Sequence, residues 1–100
     1  MKETIHKPYK IFFETLANKT RWEVIHLLKE GGLNATGIAK KLGYEQSLIS
    51  HHLTRLERCG FVDVKKRGRE RVYILNKETI KPLLLLADKH INKFCKKSCC

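Results

Sequence analysis

Apolar positions in the middle of the chain recur at helical spacing in two short runs separated by a glycine. Ile38, Ala39 and Leu42 form one stripe that stops at Gly43, and Ser47 opens a second helix with Ile49, Leu53 and Leu56 at intervals of four and three. Two short helices meeting at a glycine turn predict a helix-turn-helix over about residues 35–60. The face opposite those leucines carries Ser47, Ser50, His51, Thr54, Arg55 and Arg58, short hydrogen-bonding groups mixed with cations. Such a face suits a DNA groove.

The flanking pattern predicts three further elements. A first helix is expected to start near Pro8 and to run through Ile11, Phe12, Leu16 and Ala17. Asn18 or Thr20 then caps a second helix whose wide apolar face holds Trp22, Val24, Ile25, Leu27 and Leu28, and Gly31 and Gly32 end it. Trp22 is read as packing and His26 as a surface residue. Beyond the helix-turn-helix, Val62, Val64, Val72 and Ile74 alternate with polar residues around Lys65-Lys66-Arg67-Gly68-Arg69-Glu70-Arg71, which predicts a β-hairpin over about 61–75. Five of those seven connecting residues are basic, either a solvated charge run or the wing of a winged helix set against the DNA backbone.

A last helix is expected over about 79–96, capped by Asn76 or Thr79, with Pro82 in its first turn. Ile80, Leu84, Ala87, Ile91 and Phe94 make a heptad-like seam, and Leu83 and Leu86 make a second stripe. One helix of a small monomer does not need two apolar stripes, so the second predicts a homodimer. Ile11, Phe12, Leu83, Leu86 and His90 are placed at that interface.

Length and charge sharpen the picture. One hundred residues suffice for one domain, mainly α with a small β-hairpin. Lysine and arginine outnumber acidic residues 21 to 10, giving a formal charge of +11 and making nucleic acid the first partner to consider. The basic residues are spread over several segments rather than along one amphipathic helix, and the longest apolar run, Leu83 to Ala87, is too short to span a bilayer. With a polar start from Met1 to Tyr9, these features predict a cytoplasmic protein without membrane association. Four cysteines, three of them in the last six residues, do not form the spread framework of a secreted disulfide scaffold.

Particular residues carry a family resemblance over nearly the whole chain. Leu16-Ala17-Asn18-Lys19-Thr20-Arg21 resembles the Leu-x-Asp-Pro-Thr-Arg stretch of the ArsR/SmtB winged-helix repressors. Gln46-Ser47-Leu48-Ile49-Ser50-His51-His52-Leu53, followed by Leu56 and Cys59-Gly60-Phe61-Val62, resembles that family's recognition helix, and Arg67-Gly68-Arg69 with Val72-Tyr73 resembles its wing. The resemblance implies a dimeric winged helix-turn-helix that docks two recognition helices in successive major grooves of a near-palindromic operator in double-stranded DNA. By position, Gln46, Ser47, Ser50, His51 and Arg55 would face bases or nearby phosphates, with Thr54 on the same face, while Lys65, Arg67, Arg69 and Arg71 would serve the wing. His52 lies beside the core face, where packing or an internal hydrogen bond competes with DNA contact.

The same resemblance implies where an effector would act. Family members with a cysteine site before the recognition helix carry Leu-Cys-x-Cys-Asp, and the matching residues here are Leu33-Asn34-Ala35-Thr36-Gly37, without a thiolate. At the family's last-helix metal site the matching residues are Lys77, Thr79, His90 and Lys93, of which only His90 is a ligand type. No resident cofactor is expected. Cys95, Cys99 and Cys100 remain as candidate ligands for a thiophilic metal or metalloid effector, as partners in redox or disulfide chemistry, or as residues with no sensing role. Cys59 reads as a small packing residue. The leading expectation is a sequence-specific transcriptional regulator, acting as a repressor. A metal- or redox-responsive repressor, a non-specific architectural DNA-binding protein and a winged helix used for protein contact are the alternatives. An enzyme is not expected, because no paired carboxylates, phosphate-cradling loop or nucleophile–base motif stands out.

Overall fold

The structure, a computed structural model, describes residues 3–95. The element order is α1 (Glu3–Ala17), α2 (Lys19–Leu28), α3 (Ala35–Leu42), α4 (Gln46–Arg58), β1 (Val62–Arg67), β2 (Glu70–Leu75) and α5 (Ile80–Phe94). One apolar cluster joins them: Val24, Ile25 and Leu28 from α2, Ile38 and Ala39 from α3, and Ile49, Leu53 and Leu56 from α4 meet Phe61, Val62, Tyr73, Leu75, Ile80 and Leu84. Helix α2 is the hub, packing on α1, α3, α4 and β2.

The expected caps are present, with local differences. The Asn18 side chain accepts from the Arg21 N–H at 3.0 Å and opens α2. Asn34 does the same for α3 through Gly37, at 2.7 Å, and Gly43 closes α3 at φ +77°. Asn76, not Thr79, gives its side-chain oxygen to the N–H groups of Glu78 and Thr79 ahead of α5. Helix α1 begins at Glu3 rather than near Pro8. Proline's fixed φ is already the helical value, so Pro8 inside the helix forfeits one bond to the carbonyl four residues back without ending the helix. Helix α4 opens at Gln46, one residue ahead of Ser47, with no side-chain cap.

The hairpin strands run further than the charge pattern suggested. Arg67 pairs with Glu70, so only Gly68 and Arg69 make the turn, with Gly68 at φ +64°. A single bridge adds Leu33 to the outer edge of β2, through two backbone bonds with Tyr73 of 3.1 and 2.8 Å. Gly32 has a different reason from ending α2. A Cβ there would lie 2.8 Å from Ile74 Cγ2 and 2.9 Å from Val72 Cγ1, so this glycine permits β2 to approach the α2–α3 connection.

The heptad-like seam of α5 is only half buried in the chain's own core. Ile80 and Leu84 are enclosed and Leu83 is packed against the core, whereas Leu85, Leu86, Ile91 and Phe94 are exposed. The helix leaves the domain after its first turns. An ion pair of 2.9 Å between Lys29 and Asp88 ties its middle to the end of α2.

Candidate nucleic-acid interface

Helix α4 turns Ile49, His52, Leu53 and Leu56 inward and leaves Gln46, Ser47, Leu48, His51, Thr54, Glu57 and Arg58 exposed. This division follows from helical periodicity, since the four inward residues recur at intervals of three, one and three. Gln46 Oε1 accepts from Thr36 Oγ1 at 3.1 Å, which fixes the side chain against α3 and leaves its amide protons to donate outward. The Thr54 hydroxyl donates to the Ser50 carbonyl at 3.0 Å, and Ser50 is half-buried. The Tyr44 hydroxyl in the turn donates to Glu23, fastening the turn to α2.

Beneath α4 lies a polar network that joins it to α1 and α2. Arg21 donates from Nε to the Thr15 carbonyl at 2.7 Å and from Nη2 to the Glu14 carbonyl at 3.3 Å. Its charge thus closes the C-terminal end of α1, where carbonyls lack helical partners. Its third contact is Nη1 to His52 Nδ1 at 3.3 Å. His52 is only 8% exposed, and burial lowers its pKa below the usual imidazole value, with the charges of Arg21 and His51 acting the same way. A neutral ring accepting at Nδ1 fits that site. His52 is therefore an internal hydrogen-bonding residue.

Arg55 takes part in the same network. Its Nε and Nη2 donate to the fully buried Thr15 Oγ1 at 3.1 and 2.9 Å, while that hydroxyl donates to the Ile11 carbonyl at 2.7 Å. Two of its three nitrogens are held by α1, so Arg55 does not stand out beside Ser47 and His51 as its sequence position implied. Cys59 sits at the end of α4, its sulfur 3.8 Å from the Thr15 hydroxyl.

The wing cations fall on two faces, because successive strand residues alternate. The register Val62↔Leu75, Val64↔Tyr73 and Lys66↔Arg71 puts Lys66 and Arg71 on the core-facing side of the hairpin. Arg71 there donates to Glu57 of α4 at 3.1 Å and to the Tyr73 hydroxyl at 3.3 Å, and the Tyr73 bond is the main reason its pKa is raised. Lys65 and Arg67 lie on the opposite side, along a cavity of about 300 Å³ shared with Asn34 and Glu70. Asn34 Nδ2 donates to Glu70 at 2.6 Å, bracing the wing against the start of α3. Lys65, Lys66, Arg67, Arg69 and Arg71 are all exposed. The period-two pattern carried the information that separates Lys66 and Arg71 from Lys65 and Arg67, and Lys66 was not among the residues assigned to the wing.

The residues assigned to a dimer interface are divided as well. Ile11, Leu86 and His90 are exposed, whereas Phe12 is half-buried and stacks on Phe61 with ring centroids 5.1 Å apart, and Leu83 is half-buried on the core. Tyr9, Phe13, Leu85, Ile91 and Phe94 add exposed apolar surface on the same two helices. Among the described residues no three His, Cys, Asp or Glu side chains are grouped to hold a metal ion. Cys95 ends α5, and Cys99 and Cys100 lie outside the described residues. No helix among the described residues is long and apolar enough to cross a membrane.

A positioning helix, a glycine turn, a second helix with an open polar face and a two-stranded wing braced on both define a winged helix-turn-helix. A model of the family described as "Bacterial regulatory protein, arsR family" matches residues 18–64. The HTH-type transcriptional regulator NmtR of Mycobacterium tuberculosis is 35% identical over 71 residues, which are 71% of this chain and 59% of NmtR. The chain thus spans about three fifths of that relative's length. A relative from the same organism described as "Uncharacterized HTH-type transcriptional regulator Rv0081" is 31% identical over 88 residues, 87% of this chain and 77% of Rv0081. Its crystal structure superposes with a TM-score of 0.84 at 29% identity, covering 92% of this chain and 93% of that one. The solution structure of Mycobacterium bovis Mb0332, described as a homodimeric winged helix-turn-helix DNA-binding domain, shares the fold at a TM-score of 0.82 and 21% identity, covering 94% and 90%. The chain belongs to the arsR family of bacterial regulatory proteins.

Proposed function

We propose that the protein is a transcriptional regulator, acting as a repressor, that binds a near-palindromic operator in double-stranded DNA as a homodimer. The observation that carries this reading is the outward face of α4, uncovered by any other element among the described residues and built of short polar groups beside an exposed cationic wing. Gln46, Ser47, Ser50, His51 and Thr54 supply donors and acceptors for base edges in the major groove. Lys65, Lys66, Arg67, Arg69 and Arg71 supply charge for the backbone, which strengthens binding without selecting sequence. Arg55 orients α4 through Thr15 and offers only Nη1 to a phosphate. A dimer seated on its operator excludes other proteins from that DNA, which suffices for repression.

The exposed apolar faces of α1 and α5 support the dimer. Leu86 is 65% exposed and Phe13 57%, and leaving such side chains in water costs about 1.5–3 kcal/mol each. Covering both helices with a second copy presents two α4 helices to one side of the duplex.

Selection of bound sequences from random duplex DNA tests the reading. It is expected to return a short symmetric site whose half-site centres lie about 34–36 Å apart, or a multiple of that spacing. Equal binding to all sequences would instead make the protein a non-specific architectural DNA binder. Arg67→Ala is expected to weaken operator and random DNA alike and to lower the salt slope by about 1.

A further inference from the structure

The exposed large apolar side chains of the described residues fall into three groups, on α1, on α5 and, singly, at Leu48 on α4. A dimer accounts for the first two. Leu48 stands apart at 39% exposure in the first turn of α4, directly after Ser47 and one turn ahead of His51. The rest of that face is polar: Gln46, Ser47, His51 and Thr54. The N-terminal residues of a recognition helix are the ones that reach base edges. Of the features that base edges show in the major groove, one is apolar, the C5-methyl group of thymine.

We infer that Leu48 is a specificity-determining residue that packs against a thymine methyl in each half-site, so that the operator requires thymine where the polar groups of α4 alone would not. The inference rests on the DNA-reading role proposed for α4 and adds a base identity to it. The side chain is too short and too apolar to contribute to phosphate binding, so its effect is confined to sequence preference. Removing a single methyl group from the DNA therefore isolates it.

The test replaces each thymine of the selected operator in turn with deoxyuridine, which deletes only the C5-methyl group and keeps every hydrogen-bonding group. For the wild-type protein one position per half-site is expected to weaken binding about fourfold when substituted once, and about fifteenfold when substituted in both half-sites, the worth of one and two buried methyl groups. Leu48→Ala is expected to bind the thymine operator more weakly and to lose the difference between thymine and uracil, whereas Leu48→Met, still apolar at that place, retains it. Circular dichroism is expected to show both variants folded, since the side chain is on the surface and both replacements are good helix formers. A thymine–uracil difference that survives unchanged in Leu48→Ala overturns the inference, and so does a scan in which no thymine of the half-site responds. In both of those cases preference for the operator over random DNA persists. If that preference is itself absent, the underlying reading of α4 fails and this inference fails with it.

Discussion

Replacing Thr15 with valine keeps the shape of a fully buried side chain and removes one hydroxyl. Among the described residues that hydroxyl is the only hydrogen-bond partner of Arg55 Nε and Nη2, at 3.1 and 2.9 Å. Hydrogen bonds to a charged group contribute about 1.5–3 kcal/mol, but these two share one acceptor oxygen and Arg55, half-buried, regains water when the partner is lost, so the pair together contributes the lower part of that range. Thr15→Val is therefore expected to destabilise the fold by about 1.5–2 kcal/mol. Arg55→Ala removes the same bonds together with the packing of the arginine stem. It strands no donor, since the Thr15 hydroxyl still donates to the Ile11 carbonyl. The double variant is thus expected to lose less than the sum of the single variants, with a coupling of about 1–2 kcal/mol. Urea unfolding at one fixed protomer concentration measures all four proteins, the concentration being held because the proposed dimerisation would contribute to apparent stability. Additivity within about 0.3–0.5 kcal/mol would refute the Thr15–Arg55 contact as an energetic link between α1 and α4.

The remaining predictions concern the buried histidine, the close-approach glycine and the apolar helix faces. The folded-state pKa of His52 is depressed by burial and by Arg21 and His51, so its stabilising contribution is complete above the unfolded value of about 6.5 and declines as pH falls below it toward the depressed value. Unfolding free energies measured between pH 7.5 and 5 are expected to fall, and His52→Asn, whose oxygen replaces Nδ1 as the acceptor for Arg21, is expected to flatten that slope; an unchanged slope assigns it to other groups. Gly32→Ala is expected to destabilise by about 1–3 kcal/mol through overlap with Ile74 and Val72, and a thermal midpoint equal to wild type would mean that β2 yields without strain. Leu86→Glu is expected to shift the protein toward monomer in analytical ultracentrifugation, and a persistent dimer would remove α5 from the interface.

How far the sequence discloses this molecule depends on whether a feature is local. The α3 and α4 stripes, the hairpin and the caps at Asn18 and Asn76 were legible because each arises from residues a few positions apart. Arg55 was not, because whether an arginine on an amphipathic helix faces solvent or a neighbour depends on Thr15, forty residues away in sequence. Gly32 looked like a helix terminator beside Gly31, and only the proximity of β2 reveals its second reason. The seam of α5 was readable as apolar but not as half uncovered, since periodicity identifies a face without stating what meets it. Leu48 was passed over for the opposite reason. On a helix read as having one apolar and one polar side, a leucine at the margin was overlooked among its polar neighbours.

On the proposed function, the outward face of α4 reads bases rather than merely adding charge. His51 is the sharpest probe of that reading, being exposed on that face with its side chain in no hydrogen bond among the described residues. Affinities of His51→Ala and wild type for the selected operator and for random duplex DNA, taken at one salt concentration, give the change in specificity ratio. A loss of about tenfold or more on the operator, the worth of one base contact, is expected, with random-DNA affinity nearly unchanged. Equal losses on both DNAs would contradict it and leave α4 as a backbone-binding helix.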